Sequence, residues 1–194
     1  MDGILLINKP RGRTSHDLVA LARRRIHQKR IGHAGTLDPS AEGLLVLLVG
    51  SATKRQQDLQ GHEKVYEATL ALGSQTETGD SEGRVIGRAA VPSLDAARIE
   101  ALFKFLEGVL TQTPPAYSAV KVKGKPSYWW ARRGQAVALK PRAITIHALS
   151  LLEAGGGVIR FRLHCSSGTY VRTLGEQIAK QLGTAGHLSA LTRL

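Results

Sequence analysis

The chain has 194 residues, of which 27 are lysine or arginine and 15 are acidic, so its formal net charge is +12. This length is sufficient for one sizeable domain with a hydrophobic core, and the charge favours a polyanionic partner such as a nucleic acid. Cys165 is the only cysteine, so the chain can form neither an internal disulfide nor a metal site with several cysteines. We expect Cys165 to be a small core residue. No apolar run approaches the ~20 residues of a membrane helix and no signal peptide is visible, so we expect a cytoplasmic protein without membrane association.

The first predicted elements are a short strand and a basic helix. Ile4 to Ile7 form the strand, which ends at a turn from Asn8 to Gly12. Thr14 or Ser15 is expected to cap the helix. No acid occurs between Leu18 and Leu37, whereas five arginines or lysines do. Such clustered charge favours phosphate contact, although a solvated basic face would give the same pattern.

The most distinctive stretch runs from Gly32 to Gly43, with three glycines and a proline that exclude an ordinary helix or strand. Pro39 restricts the preceding Asp38 to an extended or turn conformation. The apolar run from Leu44 to Val49 then indicates a buried strand. A carboxylate held on a loop beside a buried strand is a candidate catalytic group. The alternative is a turn in which Asp38 accepts hydrogen bonds from nearby backbone amides.

The middle of the chain alternates strands and a helix. Val65 to Leu72 has the alternation of a half-buried strand, and a polar turn from Thr76 to Gly83 precedes the short apolar pair Val85–Ile86. Ser93 to Gly108 is predicted to be a helix that ends at its glycine.

Residues 112–142 differ from the rest of the chain. They contain four prolines, two tyrosines, both tryptophans and seven basic residues, but no acid. Aromatic planes among cations suit unpaired RNA, because they offer stacking surfaces for bases and charge for phosphates. A basic hairpin whose aromatic side chains pack into the core is the alternative. We expect this segment to be an excursion from the main sheet.

The last third of the chain predicts two paired strands and a final helix. The strands are Ala143 to Leu152 and Val158 to Cys165, and Ser166 to Thr173 forms a turn into the helix. Arg172 at the helix start opposes the helix dipole, which suggests a specific anionic partner, either a phosphate or a buried carboxylate; a solvated arginine is the alternative. The order of elements predicts one α+β domain, residues 1–194, with a largely antiparallel central sheet flanked by helices.

Several common signatures are absent. The chain has no GxxxxGK[ST] loop, no GxGxxG loop and no histidine or cysteine cluster with metal-ligand spacing. We therefore expect neither a cofactor nor a metal, and an enzyme with this sequence would perform cofactor-free chemistry on a nucleic acid.

Five motifs, in this order, resemble those of the bacterial TruB-type tRNA pseudouridine synthases and extend over essentially the whole chain. They are Asp2–Pro10 with Gly12 and Thr14–Ser15, Gly32–Pro39 followed by Gly43, Lys64–Ala68, Gly168–Thr173, and Leu191–Leu194. The resemblance implies the pseudouridine-synthase fold, with residues 112–142 as its RNA-gripping insertion.

The resemblance also implies the reaction. The family isomerises uridine 55 in the T-arm of tRNA to pseudouridine, without cofactor or metal, after flipping the target base into the site. Asp38 matches the catalytic aspartate, with attack on C1′ or C6 left open. Tyr66 matches the aromatic that stacks on the base and is a candidate for proton removal at C5, and Arg172 matches the arginine that pairs with the carboxylate. This agrees with the chemistry, since a neighbouring arginine orients a carboxylate nucleophile and favours its charged form.

Further residues are expected to bind substrate or RNA. His33 resembles the residue that supports the position vacated by the flipped base, and Tyr170 and Leu191 match positions that line the uracil site. Lys9 is a weaker candidate, because a lysine there could simply support the loop. Gly35 and Thr36, in the same motif as Asp38, are also expected to contact substrate or RNA.

The chain also departs from the family pattern. It stops at Leu194, where bacterial members usually continue into a small RNA-binding domain, so either the protein is naturally short or it has been cut. Glu42 adds a charge near Asp38, which it could perturb unless it faces solvent. Trp129–Trp130 replaces a pair that is more often acidic and aromatic.

Three alternatives remain open from the sequence. A guide-RNA-dependent synthase would share the motifs but need a ribonucleoprotein partner, and a non-catalytic RNA-binding or tRNA-folding module would need only the basic surface. A glycosidase-like hydrolase would need a second carboxylate near Asp38, for which Glu42 is the only neighbour in sequence. We expect a monomer that binds the T-arm stem-loop of tRNA and has no obligate protein partner.

Overall fold

The computed structural model describes all 194 residues as a mixed α+β structure. The strands are β1 (Gly3–Lys9), β2 (Ile31–His33), β3 (Glu42–Val49), β4 (Lys64–Leu72), β5 (Ser74–Thr76), β6 (Val85–Arg88), β7 (Gly108–Gln112), β8 (Lys121–Val122), β9 (Lys125–Pro126), β10 (Arg142–Gly155), β11 (Val158–Cys165) and β12 (Gly186–Arg193). The helices are α1 (Ser15–Arg25), α2 (Gln56–Gly61), α3 (Ala96–Leu106), α4 (Ser127–Ala131) and α5 (Val171–Gln181), and a 3₁₀ segment, Gly50–Arg55, precedes α2.

Eight strands form the central sheet, in the order β1-β3-β12-β4-β11-β10-β7, with β2 also paired to β3. Every pair in this sheet is antiparallel except β12 with β3. The predicted fold class, an α+β fold with a largely antiparallel sheet, is therefore confirmed. Two small hairpins, β5–β6 and β8–β9, lie outside the central sheet.

One face of the sheet carries the hydrophobic core. Ile159, Phe161 and Leu163 of β11 are fully buried, and Phe161 meets Phe103 of α3 edge to face, with ring centroids 5.8 Å apart. The alternate side chains of β11 face the opposite side, and each contacts a glutamate. These contacts are Arg160–Glu153, Arg162–Glu67 and His164–Glu63. The alternation seen in the sequence thus separates an apolar face from a polar one.

The helix boundaries follow local capping chemistry. Thr14 is the N-cap of α1 and forms a capping box with Asp17. The helix predicted from Ser93 is shorter at both ends, because Asp95 is its N-cap and Gly108 already belongs to β7. None of the helices is both long and apolar enough to cross a lipid bilayer.

Residues 112–142 leave the central sheet after β7 and return to it at β10. Their two ends meet directly, since Gln112 and Arg142 are partners in the pairing of β7 with β10. The hairpin β8–β9 and the short helix α4 lie between them. The predicted excursion from the main sheet is therefore present, and its base lies at the edge of the sheet.

Candidate active site

The loop between β2 and β3, residues 34–41 and hereafter the Asp38 loop, is held to its surroundings by hydrogen bonds. The Ser15 side chain, in a residue that is 2% exposed, donates to the Leu37 carbonyl (3.1 Å) and accepts from the Leu37 amide (2.9 Å). The Gly12 amide donates to the Pro39 carbonyl (2.9 Å). The Asp38 side chain therefore projects from an anchored backbone and remains 35% exposed.

Arg172, in the first turn of α5, binds the Asp38 carboxylate. Its Nε donates to Asp38 Oδ2 at 2.8 Å, while Nη1 and Nη2 donate to the carbonyls of Thr78 (2.5 Å) and Tyr117 (2.9 Å). Its side chain is only 5% exposed. The cation that the helix dipole disfavours thus has a carboxylate partner, one of the two anions considered from the sequence.

Asp80 connects the Asp38 loop to the turn that holds Arg172. This residue is 6% exposed, and its carboxylate accepts from the hydroxyls of Ser40 (3.0 Å) and Thr78 (2.5 Å) and from the Glu82 amide (3.1 Å). Ser40 belongs to the loop, and Thr78 supplies a carbonyl to Arg172. From the sequence only a polar turn was predicted here, because nothing in the local pattern of this turn connects Asp80 to a residue 40 positions earlier.

A cleft of about 320 Å³ opens beside this ion pair. Most of the predicted site residues line it. They are Gly35, Thr36, Asp38, Tyr66, Tyr170, Arg172 and Leu191. The sequence motifs that were separated along the chain are therefore brought to one concave surface, with one carboxylate and several apolar and aromatic side chains.

Tyr66 on β4 lies at the inner wall of the cleft and is 9% exposed. Burial raises the pKa of its phenol, and the Arg193 guanidinium beside it acts in the opposite direction. The phenol is therefore protonated at neutral pH. Its ring offers a flat apolar surface to anything that enters the cleft.

Gln112 and Arg142, at the two ends of the 112–142 segment, hold Tyr170. The buried Gln112 amide accepts from the Tyr170 amide (2.8 Å) and donates to its carbonyl (3.1 Å). The Arg142 guanidinium lies 4.9 Å from the centroid of the Tyr170 ring and donates to the Gly168 carbonyl (2.7 Å). Neither role was predictable from the sequence, since a buried side chain that binds backbone leaves no recognisable pattern.

Two predicted binding residues lie away from the cleft. Lys9 is fully buried, and its Nζ donates to the carbonyls of Arg13 (2.7 Å), Pro10 (3.0 Å) and Pro39 (3.4 Å). A lysine enclosed by carbonyls supports the loop, which was the alternative considered from the sequence, and a contact of Lys9 with substrate or RNA stays a prediction. His33 is half-buried at the end of β2, and burial, reinforced by Arg193, lowers its pKa.

Glu42 does not approach Asp38 as a second acid. Its side chain is exposed at the start of β3 and accepts a hydrogen bond from the Thr192 hydroxyl at 3.3 Å. Of the two possibilities considered from the sequence, Glu42 thus faces solvent. No ion pair or hydrogen bond joins it to the Arg172–Asp38 pair.

The two tryptophans pack within the 112–142 segment itself. Trp129 and Trp130 meet edge to face with centroids 4.8 Å apart, and Trp130 Nε1 donates to the Val122 carbonyl (3.1 Å). The Arg133 guanidinium lies 3.6 Å from the centroid of the Trp129 ring. Tyr128 remains 40% exposed. The tryptophans thus organise this segment rather than the core of the sheet.

Cys165 is fully buried, as predicted, and burial raises the pKa of its thiol to about 11. Nowhere in the chain do three or more histidine, cysteine, aspartate or glutamate side chains form a group that could hold a metal ion.

The chain is similar to known proteins over most or all of its length. Residues 23–171 match the model of the TruB family pseudouridylate synthase, N-terminal domain. Over its full length the chain is 48% identical to a tRNA pseudouridine synthase B of Hydrogenovibrio crunogenus and 46% identical to that of Opitutus terrae. It covers 64% and 80% of these two proteins, and therefore spans only part of their length. A chain in the crystal structure of a Cbf5-Nop10-Gar1 complex superposes with a TM-score of 0.76 at 29% identity, covering 98% of this chain and 47% of that one.

Proposed function

The chain belongs to the TruB family of pseudouridylate synthases, and on this premise we propose that it converts uridine 55 in the T-arm of tRNA to pseudouridine. The observation that carries the proposal is the Asp38–Arg172 ion pair at the mouth of a cleft that also contains Tyr66. A lone carboxylate oriented by a buried guanidinium suits nucleophilic catalysis. A module that only binds RNA has no need of this arrangement.

Asp38 is the nucleophile in this proposal. Its carboxylate attacks C1′ of the ribose or C6 of the uracil, and the bond between C1′ and N1 breaks. The base then turns and a bond forms between C5 and C1′. The Asp38–C1′ bond breaks as this bond forms or, after attack at C6, the Asp38–C6 bond breaks by elimination, so that the free carboxylate is regenerated. C5 loses its proton and N1 gains one, which gives pseudouridine. Arg172 holds the carboxylate toward the cleft. Its other two nitrogens donate to backbone carbonyls, so the guanidinium stays in place while the carboxylate loses and regains its negative charge.

Tyr66 is proposed to stack on the flipped uracil. Its buried ring lies in the same cleft as Asp38, and stacking retains a base that has left the RNA helix. Removal of the C5 proton by Tyr66 would require its phenolate, because a protonated phenol is a very weak base. Burial opposes this form by raising the phenol pKa, whereas Arg193 favours it. If Tyr66 is the base, this step accelerates as the pH rises toward the phenol pKa.

The cleft is proposed to hold one flipped nucleoside. Its volume of about 320 Å³ lies at the lower end of the range of about 300–1,000 Å³ typical of small-molecule sites. Tyr170 and Leu191 supply its apolar walls, and Gly35 and Thr36 lie at its rim beside Asp38. His33, just before the Asp38 loop, is proposed to support the space that the uridine leaves in the RNA.

The rest of the RNA is proposed to contact the 112–142 segment. Its basic residues outnumber its acids seven to none, and the net charge of the whole chain is +12. The exposed face of Tyr128 and the cations around Trp129 combine stacking surface with positive charge. Residues 1–194 would then act as a single catalytic domain with this segment as its RNA-binding insertion.

The enzyme is proposed to be a cytoplasmic monomer that needs neither a guide RNA nor a protein partner. The identity values support an enzyme without protein partners over one that works in a complex. They are 46–48% with the bacterial tRNA pseudouridine synthases B and 29% with the chain from the Cbf5-Nop10-Gar1 complex.

The test is to incubate the purified chain with an unmodified T-arm stem-loop RNA and map pseudouridine by a carbodiimide-dependent primer stop. We expect one stop, at position 55, and none in a matched RNA that carries cytidine there. Binding should weaken steeply with salt, because phosphate contacts release counterions. RNA binding without any stop, or a stop elsewhere in the loop, would refute the proposed activity or its proposed position.

A further inference from the structure

Arg193, the last residue of β12, is a buried cation, and its effect on the Tyr66 phenol does not account for its contacts with the loop that carries Asp38. The residue is 5% exposed, lines the cleft and forms no ion pair with any carboxylate of the chain. A buried charge without a counterion is costly, so a residue of this kind needs compensating contacts. Its side-chain hydrogen bonds are both to backbone carbonyls near Asp38.

The Arg193 guanidinium bridges the two ends of the Asp38 loop. Its Nη2 donates to the Gly35 carbonyl (3.3 Å), near the start of the loop, and its Nε donates to the Leu44 carbonyl (2.7 Å), just beyond the loop. One planar guanidinium thus joins the two ends of the loop that carries Asp38. A lysine could not match both carbonyls in the same way, because it lacks the rigid fork.

Glycines at both ends of the loop allow this close approach. A Cβ at Gly43 would lie 2.1 Å from the Arg193 carbonyl oxygen, and a Cβ at Gly35 would lie 3.3 Å from Arg193 Nη1. Both glycines also have positive φ, at +100° and +103°. The loop backbone is therefore shaped to lie directly against this one residue.

Arg193 also lies next to Tyr66, which lines the same cleft. It is the pairing partner of Tyr66 in the register of β12 with β4, and its guanidinium lies beside the Tyr66 phenol. The same side chain therefore binds the loop that presents Asp38 and lies beside the aromatic side chain of the cleft.

We propose that Arg193 is a positioning residue, which clamps the neck of the Asp38 loop and sets the distance between the Asp38 carboxylate and Tyr66. This inference rests on the proposed function for its effect on the reaction. The clamp itself can be measured without any reaction.

The variants Arg193→Gln and Arg193→Lys test the proposal, with Arg160→Gln as the matched control. Arg160 is also a strand arginine, but it is 49% exposed, faces the opposite side of the sheet and pairs with Glu153. The single-turnover rate on the stem-loop RNA and the Kd for that RNA are measured separately. Hydrogen exchange is followed in peptides that cover residues 35–44.

Arg193→Gln is expected to slow the single-turnover step about 100-fold, while Kd changes by less than about threefold, because the loop is misplaced rather than the RNA surface removed. The Leu37 and Ala41 amides, which are hydrogen-bonded within the site, should exchange faster. Arg193→Lys should recover part of the rate, since it keeps the charge and one of the two contacts. Arg160→Gln should match the wild type in all three measurements.

Three results would overturn the inference. They are a wild-type rate in Arg193→Gln, unchanged exchange in residues 35–44, or a loss of rate explained entirely by a weaker Kd. If the wild-type chain forms no pseudouridine, the proposed function fails, and the exchange of the loop alone then decides whether Arg193 clamps it.

Discussion

Replacing Arg172 by methionine should destabilise the fold as well as abolish the reaction, and the two partners of the ion pair should differ in this respect. The guanidinium donates to Asp38 and also to the carbonyls of Thr78 and Tyr117, which lie in two other segments. Asp38, in contrast, is one third exposed and can be solvated when its partner is removed. Arg172 therefore joins three segments, whereas Asp38 contributes little to stability.

The magnitude follows from the bonds that are lost. Each carbonyl loses a charged donor, worth about 1.5–3 kcal/mol, while the ion pair with the one-third-exposed Asp38 contributes only about 0–1 kcal/mol. Removing a buried guanidinium also recovers part of its desolvation cost. We expect Arg172→Met to lower the free energy of unfolding by about 3 kcal/mol. Asp38→Asn should change it by less than about 1 kcal/mol, since the amide oxygen still accepts from Arg172 Nε.

Urea unfolding followed by far-ultraviolet circular dichroism measures both variants. Arg162→Met is a suitable control, because Arg162 pairs with Glu67 on the solvated face and its loss should cost less than about 1 kcal/mol. Native-state tryptophan fluorescence adds a local readout, since both tryptophans lie in the segment that Tyr117 ties to Arg172. Equal losses in Arg172→Met and Asp38→Asn, or a fully stable Arg172→Met, would refute this reasoning.

Three further predictions concern single positions. Gly43→Ala should cost more than about 3 kcal/mol in thermal unfolding, because φ is +100° and its Cβ would overlap the Arg193 carbonyl oxygen; Gly12→Ala, at φ +77° with open space around it, should show the strain alone, about 1 kcal/mol. Burial raises the pKa of Glu176, so its ionised form costs stability once the pH rises through that pKa. Glu176→Gln should therefore gain stability over the wild type at neutral pH but not in acid, and an equal gain at both values would contradict this. Because burial raises the pKa of the Cys165 thiol to about 11, this thiol should resist iodoacetamide in the native protein and react only after unfolding. Mass spectrometry would detect the alkylated cysteine.

Local signals predicted much of the fold. The glycines and Pro39 marked the Asp38 loop, and the apolar run after it marked β3. The strict alternation of β11 identified both of its faces. These features depend on neighbouring residues, so one sequence is enough to recognise them.

The strand β12 was not predicted. Its sequence, Gly186–Arg193, mixes small, polar and apolar residues without clean alternation. It becomes a strand because it pairs with β4 along its whole length and with β3 at its end. Non-local pairing of this kind overrides weak local propensity.

The site was predictable in part. The unfavourable position of Arg172 at a helix start indicated an anionic partner, and the family resemblance implied that this partner is Asp38. The fold brings the two side chains together across 134 residues. Gln112 and Arg193 were not found, because they bind backbone groups from distant segments, and such contacts leave no spacing to recognise. For Lys9 the sequence left open whether it binds RNA or supports the loop, and its burial among carbonyls favours support of the loop.

The most direct test of the account is tritium release from unmodified tRNA labelled at C5 of its uridines, with the wild type and Asp38→Asn compared at equal RNA occupancy. The account predicts release by the wild type and none by Asp38→Asn, with RNA affinity retained because the variant removes a negative charge near the bound RNA. Release by Asp38→Asn at the wild-type rate would contradict the assignment of Asp38 as the nucleophile. Absence of release by the wild type, despite saturated binding, would contradict the proposed activity of this chain.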